Sequence, residues 1–308
     1  MTLQQLRYII AIERHRNFAR AAEACGVSQP TLSAMLTRLE EELGVRLFDR
    51  TNKSVTPTST GSKIVRQAER ALAETERITG IVAEDKGEIS GTMTMAVGPA
   101  IAPYILPKFI KHYTRDYPQV ELTIKEMTAG DMLDACLSGQ ADAGIASSGN
   151  RCPGTYEIPL YTEKFWVYLA ESCWRKLPVF RPENLENENM WIMREAQCLR
   201  ESAFSFCKAR AKGHHIYEAG SIDTLIRIVD QNGGYTIIPE MHLPLLTERQ
   251  RENVRRIDGG HLSQRRVSMY IKEDCIRERM LNTITDTLLR FMPEDMMEER
   301  IARFGIRL

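Results

Sequence analysis

The periodicity of apolar residues changes once along this chain, at Gly87 to Gly91, and that change limits the fold to two joined architectures. From Leu3 to Lys86 the apolar residues recur at helical spacing. From Thr92 onward, short alternating runs take turns with helical stretches. The first pattern builds an all-α region. The second builds an α/β sheet containing parallel strand pairs. A chain of 308 residues holds about two domains with ample core-forming material.

In the helical part, Leu3, Leu6, Tyr8, Ile9, Ile10 and Ile12 give a first amphipathic helix ending near His15 and Arg16. Asn17 caps a second helix, Phe18 to Cys25, and Gly26 supplies a tight turn. Ser28 caps a third, with Pro30 in its first turn and Leu32, Met35, Leu36, Leu39 and Leu43 behind. Two helices on a short Gly-containing turn, then a capped third, is the helix-turn-helix pattern. Gln29, Thr31, Ser33 and Thr37 face outward near the start of the third helix. Their short hydrogen-bonding side chains suit base edges in a major groove. Residues 44–57 read as a two-stranded wing with Arg50 and Lys53 at a phosphate-contacting tip. Residues 1–70 carry 11 Lys and Arg against 7 Asp and Glu, a net charge of +4. The whole chain is neutral, with 41 of each sign. A basic end on a neutral chain points to DNA; the plainer alternative is a small helical domain with a polar surface.

A long helix follows from Thr60 to about Lys86, roughly 40 Å at 1.5 Å per residue. Ile64, Ala71 and Ile78 repeat every seven residues, and so do Ala68, Thr75 and Val82. That narrow apolar seam suits a coiled-coil contact with a second copy of the chain, as expected where dimers read two half-sites. Packing against the chain's own domains is the alternative.

Beyond the Gly87 to Gly91 hinge, 92–98, 120–126, 141–146, 165–170, 235–239 and 265–272 read as strands. Residues 101–117, 131–137, 221–229 and 276–291 read as helices. Two α/β lobes joined by crossing strands leave a cleft between them, a usual place for a small ligand.

The segment 194–210 reads as a helix carrying Cys198 and Cys207. Leu199, Ala203, Phe204 and Cys207 fall on one apolar stripe, which buries Cys207. Cys198 lies at the helix start, where free N–H groups and the positive dipole end favour a thiolate. Arg194 and Arg200 flank it. Nine residues of α-helix rise about 13.5 Å and turn roughly 900°, so the two side chains point to opposite faces. A disulfide needs Cα atoms within about 7 Å. Bridging the pair therefore requires the segment to unwind. Two unrelated cysteines, one of them in the core, is the other reading.

Seven cysteines at irregular spacing are not a secreted framework. There is no secretory signal, no run of the 18 or so apolar residues that spans a bilayer, and no metal-ligand spacing. We expect a cytoplasmic protein without membrane, metal or cofactor, in which any disulfide is redox-linked.

Residues 17–23 (Asn-Phe-Ala-Arg-Ala-Ala-Glu), 27–33 (Val-Ser-Gln-Pro-Thr-Leu-Ser), 39–44 (Leu-Glu-Glu-Glu-Leu-Gly) and 47–50 (Leu-Phe-Asp-Arg) resemble the N-terminal domain of LysR-type transcriptional regulators. The resemblance extends over essentially the whole chain. It implies a winged helix-turn-helix over 1–58, a dimerising linker helix over 59–87, and a two-lobed regulatory domain over 88–308 that is similar to periplasmic binding proteins. Lobe I would comprise about 88–162 and 268–308, and lobe II about 163–267. Gln29, Pro30, Thr31 and Ser33 would stand at the groove-reading end of the recognition helix.

Gln197 to Glu201 with Cys207, Pro103 to Pro107, and Arg265 with Arg266 resemble the peroxide-sensing subgroup of that family. The subgroup implies that hydrogen peroxide oxidises Cys198 and that Cys207 resolves it to a disulfide. Gln197, Arg200, Glu201, Thr128, Arg265 and Arg266 would support the thiolate or hold peroxide. The sequence departs from the subgroup at Gln197, where His is usual, and at Ala100 and Ala129, where threonines are usual. A methyl group cannot hydrogen-bond, so Thr128, Gln197 or backbone groups must hold peroxide instead. Cys25, Cys136, Cys152, Cys173 and Cys275 read as structural, and Met292, Met296 and Met297 as packing. The expected partners are double-stranded promoter DNA, a second copy of the chain in a homodimer that pairs into a homotetramer, RNA polymerase and a cellular thiol reductant. Two rivals remain: a regulator answering a metabolite in the cleft, and a thiol peroxidase. The latter has no need of the first 86 residues, so we expect no enzyme.

Overall fold

The computed structural model describes residues 1–51, 54–86, 89–150, 152–171, 179–180, 190–193, 214–217, 221–257, 264–275 and 277–307. The chain divides into two compact units, one holding residues 1–86 and the other most of the rest.

The first unit begins with α1 (Leu3–His15), α2 (Phe18–Ala24) and α3 (Gln29–Leu43). Each starts where a side chain accepts an orphan N–H of its first turn. Thr2 and Gln5 form a reciprocal capping box on α1, Asn17 accepts from Arg20 N, and Ser28 from Thr31 N. Gly26 makes the turn between α2 and α3 at φ +66°, a left-handed value that costs other residues strain. Ile9, Ile12, Leu32, Leu36 and Leu39 fill the core. The wing is a hairpin of β1 (Phe48–Thr51) and β2 (Ser54–Pro57), with Phe48 opposite Pro57 and Thr51 opposite Ser54. Glu40 of α3 accepts from Leu47 N at 2.7 Å and Phe48 N at 3.3 Å, which ties the wing to the third helix. The linker helix α4 (Ser59–Lys86) packs Val65 and Ala68 into the same core. Gly61 lies against the carbonyl of Leu47, where no Cβ would fit.

The second unit opens with β3 (Gly91–Val97), α5 (Ala102–Asp116), β4 (Val120–Glu126), α6 (Ala129–Ser138) and β5 (Ala143–Ser147). β3 pairs in parallel with both β4 and β5, the geometry that helical crossovers require. Then comes β6 (Thr155–Leu169), a strand of 15 residues. The sequence pattern predicts a strand only from Phe165. In the structure it starts at Thr155 and runs through both lobes. Its first part pairs antiparallel with β12 (Gln264–Lys272), from Thr155 opposite Lys272 to Lys164 opposite Gln264. Pro159 does not break it, because the register shifts opposite Pro159, between Val267 and Ser268. Irregular positions of this kind accept a residue with no N–H.

The second part of β6, from Phe165, pairs with β10 (Tyr235–Pro239). β7 (Val179–Phe180), β8 (Met190–Met193), β9 (His214–Tyr217) and β11 (Val254–Ile257) extend that half of the sheet. α7 (Ile222–Asn232) covers it with Ile222, Leu225, Ile226 and Val229, against Tyr168 and Ile238. A 3-10 turn over Glu240–Leu245 follows β10, and α8 (Glu248–Arg251) precedes β11. α9 (Glu278–Leu289) and α10 (Glu299–Phe304) close the first lobe. Its core joins Met93, Met95, Phe109, Tyr113, Met269 and Ile284. Met292 and Met297 are buried there and Met296 packs against them, as the sequence reading expected.

Candidate functional site

At the start of α3, Gln29, Pro30 and Thr31 are exposed. Ser28 holds this end in place, since its Oγ accepts from Thr31 N at 3.3 Å and lies 2.8 Å from Thr31 Oγ1. Gln29 makes no side-chain hydrogen bond among the described residues, so its amide is available to an incoming acceptor or donor. Ser33 is half-buried and less available than its helical position suggested, whereas Thr37 is exposed and donates back to Ser33 O at 3.0 Å. Arg38, not singled out from the sequence, is exposed next to Thr37 and adds a cation to this face. On the wing, the Arg50 backbone lies in β1 opposite Val55, and Lys53 falls outside the described residues.

The expected dimer seam divides. Ala68 is only 3 % exposed and belongs to the core of its own unit, with Ile64 and Ala71 packed partly against it. Ala68, expected in the seam, is thus packed into the core of its own unit. Thr75 is half-buried, its hydroxyl donating to Leu72 O at 2.7 Å. Ile78 and Val82 are 62 % and 51 % exposed, unusual for β-branched apolar residues one turn apart on one helix face.

In the second unit, Arg265 and Arg266 part company. Successive residues of a strand face opposite sides. Arg266 is exposed, pairs with Glu298 at 3.2 Å, and lines a cavity of about 690 Å³ with Ser148, Asn150, Cys152 and Glu157. Arg265 points inward. Its Nε donates to Glu163 at 2.8 Å, and its Nη2 to Tyr104 Oη at 2.8 Å and Ala100 O at 3.3 Å. The two arginines therefore face opposite sides of β12.

Arg265 belongs to a hub of buried polar groups. Glu163 accepts from Arg265, from Tyr104 Oη at 2.8 Å and from the Met241 amide at 3.2 Å. The Tyr104 and Tyr161 hydroxyls lie 3.1 Å apart. Burial pushes both phenols well above their ordinary range, so they remain hydrogen-bond donors at any working pH. β6 and β12 supply Glu163 and Arg265, α5 supplies Tyr104, and the turn after β10 supplies the Met241 amide. The hub thus sits where the two halves of the sheet meet. Ala100, just before α5, packs against the second lobe's core. The sequence carries one signal for this hub: Glu163 is an acid just ahead of the apolar run from Phe165 to Ala170.

Thr128 caps a helix. It accepts from Asp131 N at 3.2 Å and donates to Asp131 Oδ2 at 2.8 Å, as an N-cap of α6 does. Gln197, Cys198, Arg200, Glu201 and Cys207, with the helix expected over 194–210, lie outside the described residues, as does Cys173. Among the described cysteines, Cys136 is buried and burial pushes its thiol up to about 12. Cys25 is raised for the same reason. Both are poor thiolates. Among the described residues, no helix is long and apolar enough to cross a membrane.

Comparison with known proteins follows these two units. A family model described as "Bacterial regulatory helix-turn-helix protein, lysR family" matches residues 3–62, and one described as "LysR substrate binding domain" matches residues 86–293. The "Hydrogen peroxide-inducible genes activator" of Pectobacterium carotovorum subsp. carotovorum is 32% identical over 257 residues, covering 82% of this chain and 84% of the relative. The "DNA-binding transcriptional dual regulator OxyR" of Escherichia coli (strain K12) is 31% identical over 256 residues, covering 82% and 83%. A solved full-length OxyR variant from Pseudomonas aeruginosa superposes with a TM-score of 0.75 at 26% identity, covering 97% of this chain and 98% of that one.

Proposed function

Since this chain belongs to the LysR family and, within it, to the hydrogen-peroxide-responsive OxyR branch, we propose that it is a peroxide-sensing transcriptional regulator switched by a reversible Cys198–Cys207 disulfide. The observation that carries this reading is the extent of the match. Relatives named for peroxide-inducible activation cover more than four-fifths of the chain, and the solved full-length OxyR variant covers 97% of it. A free-standing thiol peroxidase would account for neither α3 nor the wing, and the chain acts as a regulator, not an enzyme. RNA polymerase and a cellular thiol reductant are its further partners, and it works in the cytoplasm.

The chemistry balances as two steps. The Cys198 thiolate attacks one peroxide oxygen, the O–O bond breaks, and the products are a sulfenic acid and hydroxide. The Cys207 sulfur then attacks that sulfur, its thiol proton leaves with the sulfenic hydroxyl as water, and the S–S bond forms. Peroxide is the oxidant, and the reductant that resets the pair supplies two electrons and two protons. Reduced and oxidised forms cannot share one helix over 198–207, so the redox state is converted into shape.

The test is peptide mass mapping and promoter footprinting on full-length protein after micromolar peroxide. A 198–207 disulfide with a changed footprint is expected. Cys198→Ser should respond to neither measurement, and Cys207→Ser should stop at sulfenic or sulfinic acid. A footprint that still changes with peroxide in Cys198→Ser would sink the assignment.

A further inference from the structure

The turn after β10 carries a titratable group that the redox reading does not use. His242 is 0 % exposed, and neither of its ring nitrogens has a hydrogen-bond partner among the described residues. Buried polar groups are nearly always bonded, and an orphan in a native fold calls for a reason. His242 Nε2 lies 3.3 Å from Asp223 Oδ1, in the first turn of α7, within ion-pair reach but not aligned as a hydrogen bond. Asp223 is half exposed, so its carboxylate stands between Nε2 and solvent. The residue before His242 is Met241, whose amide donates to Glu163 and so ties this turn to the buried hub.

Among the described residues, the charged groups facing His242 come from three elements: Asp223 on α7, Glu163 on β6 and Arg265 on β12. Tyr104 of α5 reaches the same hub through Glu163. β10, Tyr235–Pro239, contributes no charged side chain. On the turn itself, Glu240 accepts from the Lys164 amide at 3.3 Å.

We propose that His242 and Asp223 form a proton-operated latch on the lobe junction. With the imidazole neutral, the turn Glu240–Leu245 stays seated and Met241 holds Glu163. A proton taken from solvent onto the ring puts a cation in a fully buried site that cannot hydrate it. The turn then leaves its seat for water and the Met241–Glu163 bond breaks.

Burial is the largest influence on His242 and lowers its pKa, with Arg265 acting the same way; Asp223 and Glu163 oppose them but do not win. The unlatched form, with an ordinary pKa near 6.5, therefore binds a proton more readily than the latched one. The latch is intact above about pH 6.5 and weakens as the pH falls from there toward the lower pKa of the seated form. This inference is independent of the cysteine switch, because fully reduced protein should show it.

The experiment is hydrogen exchange on reduced full-length protein at about pH 7.5 and 5.5, corrected for intrinsic rates and read on peptides spanning 239–246. One pH unit below 6.5 should cost about tenfold in protection, and His242→Phe should lose that dependence. Parallel loss in wild type and His242→Phe overturns the proposal. A second measurement stands if that variant does not fold: the His242 ring titration followed by NMR in wild type and in Asp223→Asn. A midpoint below 6.5, lower still in Asp223→Asn, supports the latch. A midpoint at or above 6.5, or one unmoved by Asp223→Asn, overturns it.

Discussion

Arg265 and Arg266 adjoin on β12, and the alternation of a strand sends one into the hub and leaves the other at the surface. Their contributions to stability should differ accordingly. Removing one partner of a buried pair leaves an uncompensated charge, at about 3–5 kcal/mol. Exposed pairs contribute about 0–1 kcal/mol. Glu163→Ala should therefore lower the urea midpoint strongly, and Glu298→Ala, which frees only Arg266, should barely move it. Equal shifts in the two variants would show that the hub is not the anchor its geometry indicates. At this scale the sequence revealed identities better than surroundings. Gln29 and Thr31 were legible as surface groups because helix caps and apolar spacing fix which face looks outward. The neighbours of Arg265 were not, since Glu163, Tyr104 and the Met241 amide come from distant parts of the chain.

Elements were the most legible scale in the first unit. Capping residues, a turn glycine and an apolar period set α1, α2 and α3 almost residue by residue, because each signal acts within a few positions. β6 was read short because its identity depends on partners far away in sequence, β12 for one half and β10 for the other. The join between wing and linker helix rests on one glycine. Gly61→Ala would press a methyl onto the Leu47 carbonyl. Backbone cannot yield as a side-chain tip can, and overpacking of this kind costs about 1–3 kcal/mol. Thermal unfolding should show the loss, and the DNA affinity should fall with it as the wing is displaced. A variant with wild-type melting temperature and affinity would mean that α4 and the wing can separate freely.

At the scale of the whole molecule, we propose that the exposed Ile78 and Val82 meet a second copy of the chain, since Ala68 is buried inside its own unit. Ile78→Asp should place a charge in that contact, shift sedimentation toward the monomer, and weaken binding to DNA with two half-sites far more than to DNA with one. An unchanged dimer would move self-association to another surface.

A strand shared by two lobes has a further consequence, for dissection of the gene. β6 is an outer strand of one half of the sheet and lies between β10 and β11 in the other. A truncation placed anywhere from Thr155 to Leu169 strips a pairing strand from one half and leaves raw backbone donors and acceptors on β12 or on β10 and β11. Unpaired edges of that kind invite aggregation. The effector lobes are therefore one unit of inheritance and of expression: neither can be cloned, shuffled or degraded singly without exposing the seam that the other half was covering.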